Sequence, residues 1–181
     1  MNYTKINRTL SDIMKKIIYS ERAESLIELK INPNFEKILL YPTNDLYLSE
    51  VQFKAFLAFL NKINIKSCFL TQFDGGWEGI YAKENMIWEL TQENSYEEYL
   101  GTNLYSLSML FANDGEWAIF IEESLNDGIG LFVGTKEIVD IFQSCYTKYK
   151  HDLERYIQET KEVCGQSNPD YFKSLIELLK N

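Results

Sequence analysis

Histidine is almost missing from this chain: His151 is the only one in 181 residues. No cysteine or histidine lies within four positions of it, so the sequence lacks the ligand spacing of a zinc or haem centre. A Ser-His-Asp or Cys-His nucleophile would have to use His151 as its base. No serine sits in a Gly-x-Ser-x-Gly elbow, and no cysteine stands in a glycine-rich or basic setting that would favour its thiolate. The cysteines Cys68, Cys145 and Cys164 are odd in number and far apart, which argues against a disulfide framework and fits a reducing compartment. They are expected to be buried, inert thiols. No apolar run approaches the roughly 20 residues of a membrane span, and no apolar signal segment follows the first charges, so a cytoplasmic protein is expected. With only 3 prolines and 45% hydrophobic residues the composition is that of an ordered globular chain.

Basic residues are missing from the middle of the chain. Between 74 and 127 there is one, Lys83, against 12 acids, so this stretch carries 1 - 12 = -11 of a total of -9. The flanks are close to balance. Residues 1 to 73 hold 10 bases and 7 acids, and residues 128 to 181 hold 7 bases and 8 acids. An acidic middle points toward a cationic partner and away from nucleic acid.

At 21.3 kDa the chain fits one domain, 1–181, able to bury about 70% of its unfolded surface. Ile6, Leu10, Ile13, Ile17 and Ile18 have the spacing of an amphipathic helix. Segment 22–34 stays undecided between helix and strand. Lys37 to Tyr41 reads as a buried strand ended by Pro42. Ser49 with Gln52 three residues on forms a capping box, opening a helix through Phe53, Phe56, Leu57 and Leu60 that Asn61 to Asn64 closes. Ile65 to Gln72 reads as a strand. Trp77 to Tyr81 and Met86 to Leu90 are strand-like, joined by a short loop at 82–85, and a short helix at Tyr96 to Leu100 ends at Gly101. A meander follows, with strands at Leu107 to Ala112, Trp117 to Glu122 and Ile129 to Val133. The run from Trp117 to Ile121 is apolar on both alternating faces, which predicts a central strand covered on both sides. Thr135 caps a helix through Ile138, Ile141, Phe142, Cys145 and Tyr149, and helices over 152–164 and 169–180 complete the chain. Strands in runs favour an α+β fold with a mostly antiparallel sheet, helices packed on it and a helical C-terminus.

Gly75-Gly76-x-x-Gly79 is glycine-rich, but it leads into a strand-like stretch between Asp74 and Glu78, which would repel phosphate. Gly128-x-Gly130 likewise precedes a strand. The loop of Asn126, Asp127 and Gly128 lacks the spacing of a calcium loop. Glu122 and Glu123 are adjacent in or beside a strand and so point to opposite faces, which keeps them from serving one substrate. No catalytic residue, metal or cofactor is therefore assigned, and the sequence favours a binding protein over an enzyme.

The segment 107–142 (LSMLFANDGEWAIFIEESLNDGIGLFVGTKEIVDIF) resembles the C-terminal part of small bacterial α+β proteins that include immunity proteins of toxin systems. The shared features are a turn before Trp117, an acidic loop after that strand, a strand ending at Gly134 and a capped helix. The resemblance implies an acidic protein that neutralises a cognate toxin, often a basic nuclease, by occluding its active site. The expected contact residues are Asp74, Trp77, Glu78, Tyr81, Asp114, Glu116, Glu122, Glu123 and Asp127. Charge would speed encounter, and the aromatic side chains would hold the complex. Two other classes stay open. One is a scaffold or regulatory module that uses the first helix, with Lys5, Arg8, Lys15, Lys16 and Arg22. The other is an enzyme with an acidic pocket for a cationic small molecule.

Overall fold

The strand Trp117–Glu122 is buried along its whole length, as its two apolar faces require. The computed structural model describes residues 2–3, 10–19, 25–72, 87–105, 107–123, 127–164 and 169–180. Its strands are β1 (Asn2–Tyr3), β2 (Glu36–Thr43), β3 (Ser67–Gln72), β4 (Trp88–Thr91), β5 (Ser108–Phe111), β6 (Trp117–Glu122) and β7 (Gly128–Gly134). They form one sheet in the order β1-β4-β3-β5-β6-β7-β2, and every described neighbouring pair is antiparallel. The described helices are α1 (Leu10–Ile17), α2 (Glu50–Lys62), α3 (Tyr96–Leu100), α4 (Lys136–Cys145), α5 (Tyr149–Cys164) and α6 (Pro169–Lys180). The architecture is the expected α+β one. β3, paired to β4 on one side and β5 on the other, joins the two strand regions into a single sheet.

Strand alternation sorts the core into two layers. Ile38, Phe132, Ile119, Leu110, Leu70 and Trp88 run across the sheet as successive cross-strand partners. All six belong to one buried cluster with Phe53, Phe56 and Phe59 of α2, Tyr99 of α3 and Phe142 of α4. Trp117 lies on the same face, stacked on Phe132 at 9° and edge-on to Phe56 and Phe59 at 5.6 and 5.5 Å. Its Nε1 is buried without a hydrogen-bond partner among the described residues, leaving it only the aromatic surfaces around it. On the opposite face Leu39, Leu131, Phe120 and Met109 pack with Ile13, Met14 and Ile17 of α1, Tyr156 of α5 and Leu175 of α6. The sheet is thus a middle layer with helices on both sides.

Ser49 caps α2 as its sequence promises: the Ser49 N–H donates to Gln52 Oε1 at 2.9 Å, while Gln52 Nε2 donates to the Pro42 carbonyl at 3.0 Å. The strand expected to end at Pro42 instead runs on to Thr43, with a register shift between Leu40 and Thr43. β2 is the outermost strand, where a proline lacking an N–H costs no ladder bond. Its outer edge is not open to water. The Tyr41 N–H donates to Asp152 Oδ2 at 3.0 Å, and the Tyr41 hydroxyl to Glu159 Oε2 at 2.7 Å, so α5 lies along the edge and blocks pairing with another chain. Within the undecided segment, Leu26–Glu28 is a single 3-10 turn and Ile31 bridges back to Ile18. β4 takes β3 and β1 as its ladder partners, while the strand expected at 77–81 falls outside the described residues. No described helix is long and apolar enough to cross a membrane.

Candidate protein-binding surface

Antiparallel register decides which loops share an end of the sheet. Gln72, Ser108 and Ile121 are aligned across β3, β5 and β6, and Gly128 lies opposite Thr43. One end therefore gathers the 43–48 loop, the 104–107 approach to β5 and the β6–β7 connection carrying Glu123 and Asp127. The chain also leaves β3 at Gln72 and re-enters β4 at Trp88 on this end. The other end holds the β5–β6 turn with Asp114 and Glu116.

The expected acidic face is consequently divided. Asp114 and Glu116 are exposed on a turn closed by the Gly115 N–H on the Ala112 carbonyl. Lys16 Nζ donates to the Asp114 carbonyl at 2.8 Å, which places α1 beside that turn. Glu123 is exposed and Asp127 half-buried at the opposite end. The six residues of β6 between them span roughly 17 Å, more than the Debye length of about 10 Å at 0.1 M salt. The two pairs of carboxylates do not make one patch. Asp74, Trp77, Glu78 and Tyr81 lie outside the described residues.

Glu122 requires a correction. It shares a sheet face with Phe120, which turns it under the helices and not toward a partner; it is 8% exposed. Its carboxylate accepts the Leu26 N–H at 2.7 Å and the Tyr171 hydroxyl. Burial pushes its pKa above the usual carboxylate range, against the lowering effect of those two bonds. Glu122 is an interior anchor for the 3-10 turn and α6, and takes no part in a docking face.

The Asp127 end contains two residues that sequence reading did not select. Asp45 is exposed at the tip of the 43–48 loop in a left-handed conformation, φ 50°, and its carbonyl accepts the Thr43 hydroxyl at 3.0 Å. Tyr105 is 75% exposed. Its N–H donates to Gln72 Oε1 at 3.0 Å, and the preceding Leu104 N–H donates to the Tyr47 hydroxyl at 2.9 Å. The Ser108 hydroxyl closes the assembly on the Leu46 carbonyl at 2.7 Å. These bonds hold the 43–48 and 104–108 segments together, so an exposed aromatic residue and the carboxylates of Asp45, Glu123 and Asp127 share one end. The turn signal of Asn44 and Asp45 after Pro42 was legible. Nothing in the sequence marked Tyr105 as exposed.

The nearby titratable groups are committed to structure. Asp152 accepts both the Tyr41 N–H and the Tyr146 hydroxyl, the latter at 2.9 Å, and burial raises its pKa. Arg155 pairs with Glu159 at 2.6 Å and lies 5.7 Å over the Tyr41 ring. The guanidinium, helped by the Tyr41 hydroxyl, draws the Glu159 pKa down. Cys68 is buried and its thiol pKa is pushed up by that burial, with Glu89 adding to it. Cys145 is only half-buried. Among the described residues no three His, Cys, Asp or Glu side chains converge as a metal site needs.

The two alternative classes fare differently. The apolar face of α1, with Ile13, Met14 and Ile17 fully buried, is used in the core, so a scaffold contact there would have only the polar side with Lys15 and Lys16. A groove beside α6 is lined by Lys30 and Lys37 against Glu177, the wrong sign for a cationic substrate. Comparison of the chain with protein-family models, with curated proteins and with solved structures finds no match.

Proposed function

We propose that this protein is a binding module for a basic protein, docking through the end of the sheet that carries Asp45, Tyr105, Glu123 and Asp127. The observation that carries the reading is that the exposed Tyr105, on segments tied together by hydrogen bonds, lies at the same end of the sheet as the exposed Asp45 and Glu123 and the half-buried Asp127. Carboxylates at such a rim speed and orient encounter, whereas a desolvated aromatic anchor supplies most of the affinity. Charge supports the same reading, since the segment from 74 to 127 carries -11. At finer grain the reading is a neutralising protein of the immunity type, which blocks a toxin by covering its cationic substrate-binding surface.

The test is capture of partners from the native cells by the tagged wild-type chain, by E123K/D127K and by D114K/E116K, each washed at low and high salt. A basic protein held by wild type and D114K/E116K, released by salt and bound about tenfold more weakly by E123K/D127K, is the expected result. Y105A should weaken the same complex with little change in its salt dependence. Equal loss in both double variants would place the contact elsewhere, and retention of no basic protein would remove the reading. Inhibition of the captured protein's own activity at one-to-one stoichiometry would test the neutralising role.

A further inference from the structure

A lysine stands where the strand pattern asks for an apolar side chain. Lys37, Leu39 and Tyr41 alternate onto the same face of β2. Leu39 and Tyr41 are buried there with α1, α5 and α6, while Lys37 is half-buried at the margin of that layer. Beside it, between the 27–33 segment and α6, opens a groove of about 390 Å³. That volume lies within the range of small-molecule sites, roughly 300–1,000 Å³.

The chemistry of the lining is specific. Ile27, Pro33 and Leu178 give it apolar wall, and Lys30, Lys37 and Glu177 give it charge. Two ammonium groups against one carboxylate leave the groove at 2 - 1 = +1, on a chain whose total is -9. Burial lowers the Lys37 pKa. An anion reaching Lys37 would gain a charge-assisted bond in partly desolvated surroundings. A single excess charge suits a monoanion, and the apolar wall suits a hydrocarbon tail. A phosphate dianion would want more donors than one half-buried amine provides.

We propose that this groove binds a small amphiphilic carboxylate of medium-chain fatty-acid type, its head on Lys37 Nζ and its tail along Ile27, Pro33 and Leu178. Glu36 pairs with Gly134 and Lys37 with Val133, so the groove opens at the Asp114 end of the sheet. It is separate from the Asp127 end and independent of the partner reading.

The test is calorimetric titration of the full chain with decanoate below its micellar concentration, with decanol and a decyl trimethylammonium salt as controls. Variants K37M and K37R, each checked by thermal melt, complete the set. Saturable one-to-one binding of decanoate is expected. K37M should weaken it by about tenfold or more, the usual worth of a hydrogen bond to a charged group. K37R should retain most of it, and the cationic amphiphile should not compete. Absence of saturable binding, equal affinity for decanol, or unchanged affinity in K37M would each overturn the proposal. In those cases Lys37 would be no more than a charged residue at the margin of the apolar layer.

Discussion

Gly128→Ala is expected to cost about 4 kcal/mol of folding stability and, in a chain of this length, to lower Tm by roughly 10 °C. Gly128 opens β7 opposite Thr43, just beyond the register shift of β2. A Cβ at this position would stand 1.8 Å from the Asp45 carbonyl oxygen and 2.1 Å from Thr43 Oγ1. The first contact is with backbone, so no rotamer change relieves it. The 43–48 loop cannot simply swing aside, because the Ser108 hydroxyl and the Tyr99 hydroxyl hold the Leu46 carbonyl and the Leu48 N–H. Something larger must move, and the ladder between β2 and β7 is the part that would open. Gly130→Ala is the control. There the nearest atoms are Leu40 Cβ and Thr43 Cγ2, both at 3.3 Å, and adjustment by a few tenths of an ångström should limit the loss to about 1 kcal/mol. Urea denaturation measures both, with an unchanged m-value expected if only native stability is altered. Equal losses in the two variants would mean that the loop is not held against Gly128 as described. Since Asp45 belongs to the same loop, G128A should also weaken partner capture at temperatures where the chain remains folded.

What was legible follows from how each signal arises. Periodicity and capping are local, and Trp117–Glu122, the Ser49 cap, Tyr96–Leu100 and 169–180 were read with the boundaries observed. Both faces of β6 being apolar predicts a strand covered on both sides, since an uncovered face would have been polar, and the structure supplies that cover with helices on each face. Pro42 misled because its meaning depends on strand position: it stops a central strand but is tolerated on the outermost one, and only the sheet order reveals β2 as outermost. The acidic surface was the least legible feature. Net charge is a property of a segment, whereas a patch is a property of register, and the antiparallel pairing places Asp114 and Glu116 at one end of β6 and Glu123 and Asp127 at the other. Glu122 was misassigned for a related reason. Alternation places it with Phe120, but whether that face is wet or covered at the last residue of a strand depends on helices more than 40 residues downstream.

Glu122 leads to the second large effect. Glu122→Ala is expected to cost about 3 kcal/mol, because it deprives the buried Leu26 N–H and the Tyr171 hydroxyl of their common acceptor. Glu122→Gln should behave oppositely at neutral pH. The amide oxygen can still accept the Leu26 N–H, and the amide nitrogen can donate to the Tyr171 phenol oxygen, so the Leu26 N–H stays paired and only the Tyr171 O–H gives up its donation to this side chain. Charge disappears as well, and charge is what this site resists: burial raises the Glu122 pKa, Glu28 adds repulsion, and the two bonds only partly offset them. Burial, with the same carboxylate adding to it, pushes the Tyr171 pKa up, keeping that hydroxyl protonated and able to donate. A carboxyl whose folded-state pKa lies above its unfolded-state value favours folding most when protonated. Its contribution is therefore full below the unfolded-state value and is lost as pH rises through the folded-state value. Relative to wild type, E122Q should gain stability from acid toward neutral pH and level off by about 1 kcal/mol in its favour, the difference vanishing at the acid end. Paired urea titrations over that range measure the slope directly. A wild-type advantage that grows with pH would mean that the Leu26 and Tyr171 bonds outweigh burial, making the ionised carboxylate the form the fold prefers.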